Sequence, residues 1–294
     1  MIRVVLLGRT GNILFQYALG RVLSARHGVP LVLDASWYNA AGWAEVGHFL
    51  KLPIRATVVR RASLVVRALR NCTGKHYWEY RGVPMLKEDP RDQSFDPRFL
   101  EAPADCLLFG YFQTARYFET IADELRQEFN ELIQPGAHAS RVPSSASCGR
   151  DLTTTLAEPT SVAVHVRRTD FLRHTAFRVC GPDYYRRAMD TMRARVPGAR
   201  FFIFSDDTEW CRRTFSSSDT GVVPAVIPNP LHDLHLMSLA SHHIIANSSY
   251  SWWAAWLGET PGQVVLMPDR WYLEGGPHAP IEEKVLKHWI RIET

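Results

Sequence analysis

Apolar positions near the start of the chain follow two rhythms. Residues 2–8 form a largely apolar run closed by Gly8, the pattern of a parallel strand buried on both faces. A tight turn over Gly8-Arg9-Thr10-Gly11-Asn12 follows. From Asn12 the side chains of Leu14, Phe15, Ala18, Leu19, Val22 and Leu23 recur at helical spacing until Gly28, and residues 31–33 read as the next strand. Strand, turn, helix, strand is the repeating unit of doubly wound α/β domains. Residues 106–112 predict a further strand and residues 117–132 an amphipathic helix, whereas residues 50–70 are basic and apolar without a clear period.

The character of the chain changes over residues 134–159, where Ser, Pro, Gly and Thr dominate; this is the best linker candidate. The α/β pattern then restarts. It predicts strands at 161–166, 200–205, 243–246 and 263–267, and helices at 182–195, 233–241 and 250–257, the last stopped by Gly258. A terminal helix is expected at 284–290. The reading is therefore two α/β domains, 1–150 and 151–294, which agrees with 294 residues at about 150 per domain.

Bulk composition narrows the function. Hydrophobic residues make up 46% of the chain and charged residues 22%, enough to fill ordinary globular cores. The formal net charge of +4 comes without a Lys/Arg block, so a nucleic-acid partner is not expected, while a small anion would suit the surplus. Cys72, Cys106, Cys148, Cys180 and Cys211 are odd in number and far apart, which argues against a disulfide framework or a CxxC metal site and fits a reducing compartment. No stretch reaches the roughly 18 apolar residues of a membrane span. The expected setting is cytoplasmic, or peripheral at a membrane surface. Nine Trp exceed what core packing needs and suggest that some line a binding cleft.

The polar residues cluster in a telling way. Three strands of the second half end in polar groups: the first in Arg167, Arg168 and Asp170, the second in Ser205, Asp206 and Asp207, the third in Asn247, Ser248 and Ser249. In open α/β sheets, ligands bind beyond the carboxyl ends of the strands, so these segments should meet at one crevice. Paired arginines suit a diphosphate because guanidinium groups donate parallel hydrogen bonds to phosphate oxygens. Strand alternation puts His165 and Arg167 on one face. Ser248 and Ser249 open a helix, where hydroxyls and backbone N–H groups can hold an anion or simply cap the helix. Trp252 and Trp256 share one face of that helix, with core packing the expected role for at least two of its three tryptophans. Asp206 and Asp207 are open to three readings: a ribose or base contact, a helix N-cap, or a metal site, the last disfavoured because adjacent carboxylates on extended chain diverge. His242-His243 reads as structural. No GxSxG, HExxH or Walker A pattern competes.

These motifs resemble, in order along the chain, those of the α-1,2-fucosyltransferases of glycosyltransferase family 11. The segment from Gly8 to Ala18 is similar to the family's GGxGNQxFQYA, Gly110-Tyr111-Phe112-Gln113 with Tyr117-Phe118 to its GYFQ…YF, and His165–Asp170 to HxRRGD. Asp183-Tyr184-Tyr185 and Phe204-Ser205-Asp206-Asp207 also fit, and Asn247-Ser248-Ser249-Tyr250-Ser251-Trp252-Trp253 is similar to NSTFSWW. The chain departs from the family at Arg9, in place of a glycine, at Ile13, in place of a glutamine, at Thr169, in place of a glycine, and at Ala240, where a cysteine is frequent. Arg9 and Ile13 bear on acceptor choice. His-x-Arg-Arg-Thr-Asp is also similar to the α-1,6-fucosyltransferase motif, but the GYFQ and NSSYSWW segments favour the α-1,2 group.

The resemblance implies a GT-B fold of two Rossmann-like domains facing each other across a cleft, the first on the acceptor side and the second binding the donor. It implies GDP-fucose as donor, a galactoside hydroxyl as acceptor, inversion at the fucose anomeric carbon, and no cofactor or required metal. The expected donor-binding residues are His165, Arg167, Arg168, Asp206, Asp207, Asn247, Ser248 and Ser249. Arg167 is expected to stabilise the leaving group and Asp170 to act as base. Asn12 and Gln16 are candidates for the cleft, or for helix capping and packing. A fucosyltransferase of another linkage, a transferase for another GDP-sugar, and a glycan-binding module without turnover remain as rivals.

Overall fold

Every residue of β1 (Ile2–Val5) is buried, and the strand has a parallel partner on each side, β2 (Leu31–Asp34) and β5 (Cys106–Phe109). That is why its side chains are apolar on both faces. The computed structural model describes residues 1–60, 82–133, 152–224 and 229–294. The linker expected at 134–159 lies largely outside the described residues, as do Cys72 and Cys148. Cys106, Cys180 and Cys211 are free thiols.

Two compact units divide the chain: Met1–Leu125 with Pro277–Ala279, and Arg126–Gly276 with Pro280–Thr294. The first carries a parallel sheet in the order β3-β2-β1-β5-β4, completed by β3 (Thr57–Val59) and β4 (Met85–Lys87). The helix α1 (Thr10–His27) packs on β1 and β2 and ends at Gly28 in the left-handed conformation. A second helix, α2 (Ala40–Leu50), is capped by Asn39.

The second unit holds six parallel strands: β6 (Ser161–Val166), β7 (Arg200–Ser205), β8 (Thr220–Val222), β9 (His242–Ile244), β10 (Val265–Pro268) and β11 (Ile290–Ile292). Across the sheet they run β11-β10-β9-β6-β7-β8. Counted from β6, this is the 3-2-1-4-5-6 order of a dinucleotide-binding sheet, with its reversal between β6 and β9. The α/β class and the pair of parallel sheets expected for a GT-B protein are present. Only the second sheet has the full Rossmann order; in the first, β5 inserts between β1 and β4.

Some elements differ from the sequence reading. The helix expected at 117–132 is α3 (Ala122–Ile133), and two 3-10 turns, Ala115–Tyr117 and Glu119–Ile121, precede it. Tyr117 and Phe118 are buried there and interrupt the amphipathic pattern. From Arg126 onward α3 belongs to the second unit: Phe129 meets Trp253 edge-on at 5.3 Å and the Arg126 guanidinium lies 4.4 Å from the Trp256 ring centre. The units thus divide at Leu125 rather than near residue 150. The terminal helix expected at 284–290 does not form. A 3-10 turn, Ile281–Glu283, leads instead to β11, whose pairing with β10 satisfies the backbone of the chain end. Among the described residues, no helix is long and apolar enough to cross a membrane.

Candidate functional site

The reversal of strand order sets the site. Val166, the last residue of β6, pairs with Ser205 at the end of β7. Beyond that rung the chain leaves the sheet as Arg167-Arg168-Thr169-Asp170, and Asp206 fixes its path. One Asp206 oxygen accepts the Arg168 N–H at 2.9 Å; the other accepts the Thr169 N–H at 3.3 Å and the Thr169 hydroxyl at 2.6 Å, and lies 3.4 Å from Arg167 Nε. The threonine that stands in place of the family's glycine therefore adds a side-chain bond to this staple, and its φ is negative, so no glycine is needed.

Two guanidinium groups emerge from the staple in different states. Arg167 is paired with Asp170: its Nη2 donates to Oδ2 at 2.9 Å and its Nε lies 2.8 Å from Oδ1. Arg168 reaches Asp207 Oδ2 through Nε at 3.1 Å, and its guanidinium carbon lies over Trp210, 3.7 Å from the ring centre. Its two terminal NH2 groups make no hydrogen bond to a described residue. Asp207 also caps the short helix Thr208–Thr214, accepting the Trp210 N–H at 3.1 Å. Burial tends to raise the Asp207 pKa, but the Trp210 amide and the Arg168 guanidinium outweigh it and hold the carboxyl below the usual range.

His165 is buried, and its carbonyl accepts the Tyr185 hydroxyl at 3.1 Å. The ring lies 5.5 Å from that of Tyr250, and Nδ1 has no hydrogen-bond partner among the described residues. Burial, reinforced by the Arg167 charge, pushes its pKa down to about 3, so the imidazole is neutral at pH 7.

Across the reversal, β9 leads to a helix over Ser249–Leu257 that Ser248 opens without a side-chain cap. Ser248 and Ser249 thus stand at a helix start, as expected. Asn247 is fixed in the framework: its amide donates to the carbonyls of Phe177 at 3.2 Å and Trp271 at 3.0 Å, and its oxygen lies 3.5 Å from Cys180 Sγ. Trp252, Trp253 and Trp256 are all buried, with Trp252 Nε1 donating to the Lys284 carbonyl at 2.7 Å. His243 is structural: its Nε2 lies 2.9 Å from the Met237 carbonyl and its Nδ1 3.1 Å from Gln263 Nε2, and burial pushes its pKa to about 4.

In the first unit the glycine-rich turn has a physical explanation. Gly8 has φ +77°, and a Cβ there would fall 2.1 Å from the Asn12 amide nitrogen. Asn12 Oδ1 accepts from Gln113 Nε2 at 2.9 Å. Gln16 does not reach toward a ligand. It is fully buried, bonds both the N–H and carbonyl of Leu7, and donates to the Gly110 carbonyl at 2.8 Å. Buried Glu88 accepts the N–H groups of Tyr111 at 2.6 Å and Phe112 at 3.1 Å, and Phe112 takes the left-handed conformation at φ +53°. The GYFQ segment is thus a tied corner that presents Gln113 to Asn12.

Sequence reading missed Trp210 and Glu88. Trp210 was accessible in principle, because it stands three residues after an N-capping aspartate and so in the first turn of a helix. Glu88 gave no signal, since it stands 23 and 24 residues before the two backbone amides it accepts. Among the described residues, no group of three or more His, Cys, Asp or Glu side chains converges as a metal site.

A family model described as Glycosyl transferase family 11 matches residues 87–293. The chain is similar to an alpha-1,2-colitosyltransferase of Escherichia coli, 29% identical over 98% of this chain and 97% of that protein. It is similar to the O-antigen biosynthesis glycosyltransferase WbnK of Escherichia coli, 30% identical over 90% of this chain and 93% of that one. Galactoside 2-alpha-L-fucosyltransferase SEC1 of Bos taurus is 33% identical over 51% of this chain and 41% of its own length.

Proposed function

The chain belongs to glycosyl transferase family 11, and we propose that it moves fucose from GDP-fucose to the 2-hydroxyl of a β-galactoside, with inversion at the anomeric carbon. The observation that carries this reading is Arg168. Its terminal NH2 groups hold no bond to a described residue, and Trp210 and Asp207 fix its direction at the reversal point of a dinucleotide-type sheet.

As the glycosidic bond breaks, negative charge grows on the GDP leaving group. Donors already in place where that charge develops lower the barrier without reorganisation. Three carboxylates (Asp170, Asp206, Asp207) stand against two guanidinium groups here. The diphosphate therefore gains from directed N–H donors rather than from an excess of positive charge. Arg168 supplies a fork, and the helix start at Ser248 and Ser249 supplies a favourable dipole. Arg167, gripped by Asp170, stiffens the loop and places a second guanidinium beside it. Neutral His165 adds a hydrogen-bonding edge without charge. Asp170 is the carboxylate offered to the attacking hydroxyl, and taking up that proton would loosen its ion pair with Arg167.

The test is GDP release from GDP-fucose with methyl β-D-galactopyranoside as acceptor, followed by NMR of the product linkage. An α-1,2 product supports the reading; an exchanged donor with a different linkage corrects it. A second reading concerns the donor sugar alone. The similarity to an α-1,2-colitosyltransferase runs along nearly the whole chain, and colitose is fucose without its 3-hydroxyl. Faster turnover of the GDP-linked colitosyl donor than of GDP-fucose would favour it.

A further inference from the structure

The loop that follows the paired arginines is held by a residue that was expected to hold the donor. Between β6 and the helix Pro182–Arg195 the chain makes two 3-10 turns, Phe171–Arg173 and Thr175–Phe177, and no longer element. Within the loop the Phe171 and Phe177 rings stack at 5.2 Å, and Arg178 Nε donates back to the Leu172 carbonyl at 3.0 Å. Leu172, Arg173, His174 and Thr175 are exposed. A segment with so few buried contacts of its own depends on what grips it from outside.

Two groups supply that grip. The Leu273 N–H donates to the Ala176 carbonyl at 2.8 Å. The other is Asn247, buried just beyond β9. Its amide nitrogen meets the Phe177 and Trp271 carbonyls, and its oxygen accepts the Cys180 thiol at 3.5 Å. A carboxamide suits this place because it offers two donors on one atom and an acceptor on the other. A carboxylate of the same shape would set an acceptor against two carbonyls.

The grip reaches the charged pair through rings. Asn247 fixes the Phe177 backbone, the Phe177 ring stacks on Phe171, and the Arg167 guanidinium carbon lies 5.7 Å from the Phe171 ring centre. Arg167 in turn is paired with Asp170, the residue that opens the loop. We infer that Asn247 is a positioning residue: it clasps residues 171–180 to the strand end from which Ser248 and Ser249 emerge, and through Phe177 and Phe171 it sets the Arg167–Asp170 pair. That the pair serves transfer rests on the proposed transferase reading; the clasp itself does not.

Asn247→Asp keeps the shape and reverses the polarity toward both carbonyls. Hydrogen exchange read by mass spectrometry should be about fivefold faster or more over residues 171–181, with residues 183–195 unchanged. In steady-state kinetics with GDP-fucose and methyl β-D-galactopyranoside, kcat should fall about tenfold or more, while the Kd for GDP, read by calorimetry, stays as in wild type. Unchanged exchange over 171–181, or equal acceleration over 183–195, overturns the clasp. A weaker Kd for GDP with exchange unmoved does so too, since Asn247 would then touch the donor. Faster exchange with kcat unmoved overturns its action on the pair. If the variant does not fold, Phe177→Leu breaks the same chain of contacts one step later, and wild-type exchange and kcat in that variant overturn the inference. A wild-type protein that releases no GDP sinks the transferase reading, and exchange still decides the clasp.

Discussion

The guanidinium carbon of Arg168 sits 3.7 Å from the centre of the Trp210 ring while its Nε reaches Asp207 at 3.1 Å. One face and Nε are occupied, and the outer NH2 groups make no hydrogen bond to a described residue. Arg168→Ala should lower kcat/KM for the donor by about 100-fold or more, the usual effect of removing one such donor. Trp210→Ala removes only the stacking surface, worth roughly 1 kcal/mol, and should raise donor KM about fivefold. Trp210→Phe should recover part of the loss. Donor KM and kcat measured for the three variants check this, and equal kinetics in wild type and Trp210→Ala would remove Trp210 from the mechanism.

Arg167 and Asp170 are paired, so their substitutions should not be independent. Arg167→Ala should abolish transfer in a folded protein, because Asp170 and Asp206 then lose their shared cation. Asp170→Asn keeps the shape and removes the charge, and should depress kcat more than donor KM. A double variant no worse than Arg167→Ala alone would show that Asp170 acts through the arginine. An active Asp170→Asn enzyme would eliminate it as base.

Thr169 closes the loop through its hydroxyl on Asp206. Thr169→Val deletes that bond at constant shape and should cost about 1 kcal/mol of stability, read by urea denaturation. It should also raise donor KM, since the Arg168 N–H shares the same carboxylate.

Buried neutral histidines make the protein acid-sensitive. His165 is pushed down to about 3 and His243 to about 4 from 6.5. In the unfolded chain both rings take up protons below pH 6.5, whereas in the native state they do not until pH 4 to 3. The unfolded state thus binds more protons across that window, and stability falls as pH falls through it. Each ring contributes at most about 1.4 kcal/mol per pH unit. Urea denaturation at pH 7, 6 and 5 should show the decline, and His243→Gln should flatten it.

The donor chemistry proposed here draws its positive charge from arginines and a helix start. Turnover should therefore survive EDTA, with full activity against a magnesium-supplemented control. Loss of activity that magnesium or manganese restores would contradict this.

Much of the second sheet was legible from short-range pattern. Residues 161–166 and 200–205 alternate or run apolar because their strands are central, and helix 182–195 opens on Gly181-Pro182, so local signals and tertiary structure agree there. The end of the chain was not legible. Residues 284–290 carry a weak helical pattern, but the backbone that follows completes a sheet edge, and that pairing depends on a strand more than 20 residues earlier.

The sequence alone determined which groups would be present: two arginines, three acids and a serine pair placed just past a strand, where backbone leaving a parallel sheet must turn, and a histidine at the strand's end. Tertiary structure decided what each one does. Gln16 and Asn247 carry donors suited to a ligand, yet their amides are bound to the backbone carbonyls of Gly110, Phe177 and Trp271. Arg167 and Arg168 are chemically identical neighbours, yet one is paired with Asp170 and the other lies over an indole, its outer NH2 groups making no hydrogen bond to a described residue. That difference comes from Asp170, Asp206, Asp207 and Trp210, whose positions follow from how β6 and β7 lie side by side. A one-dimensional pattern lists donors and acceptors; only the fold pairs them.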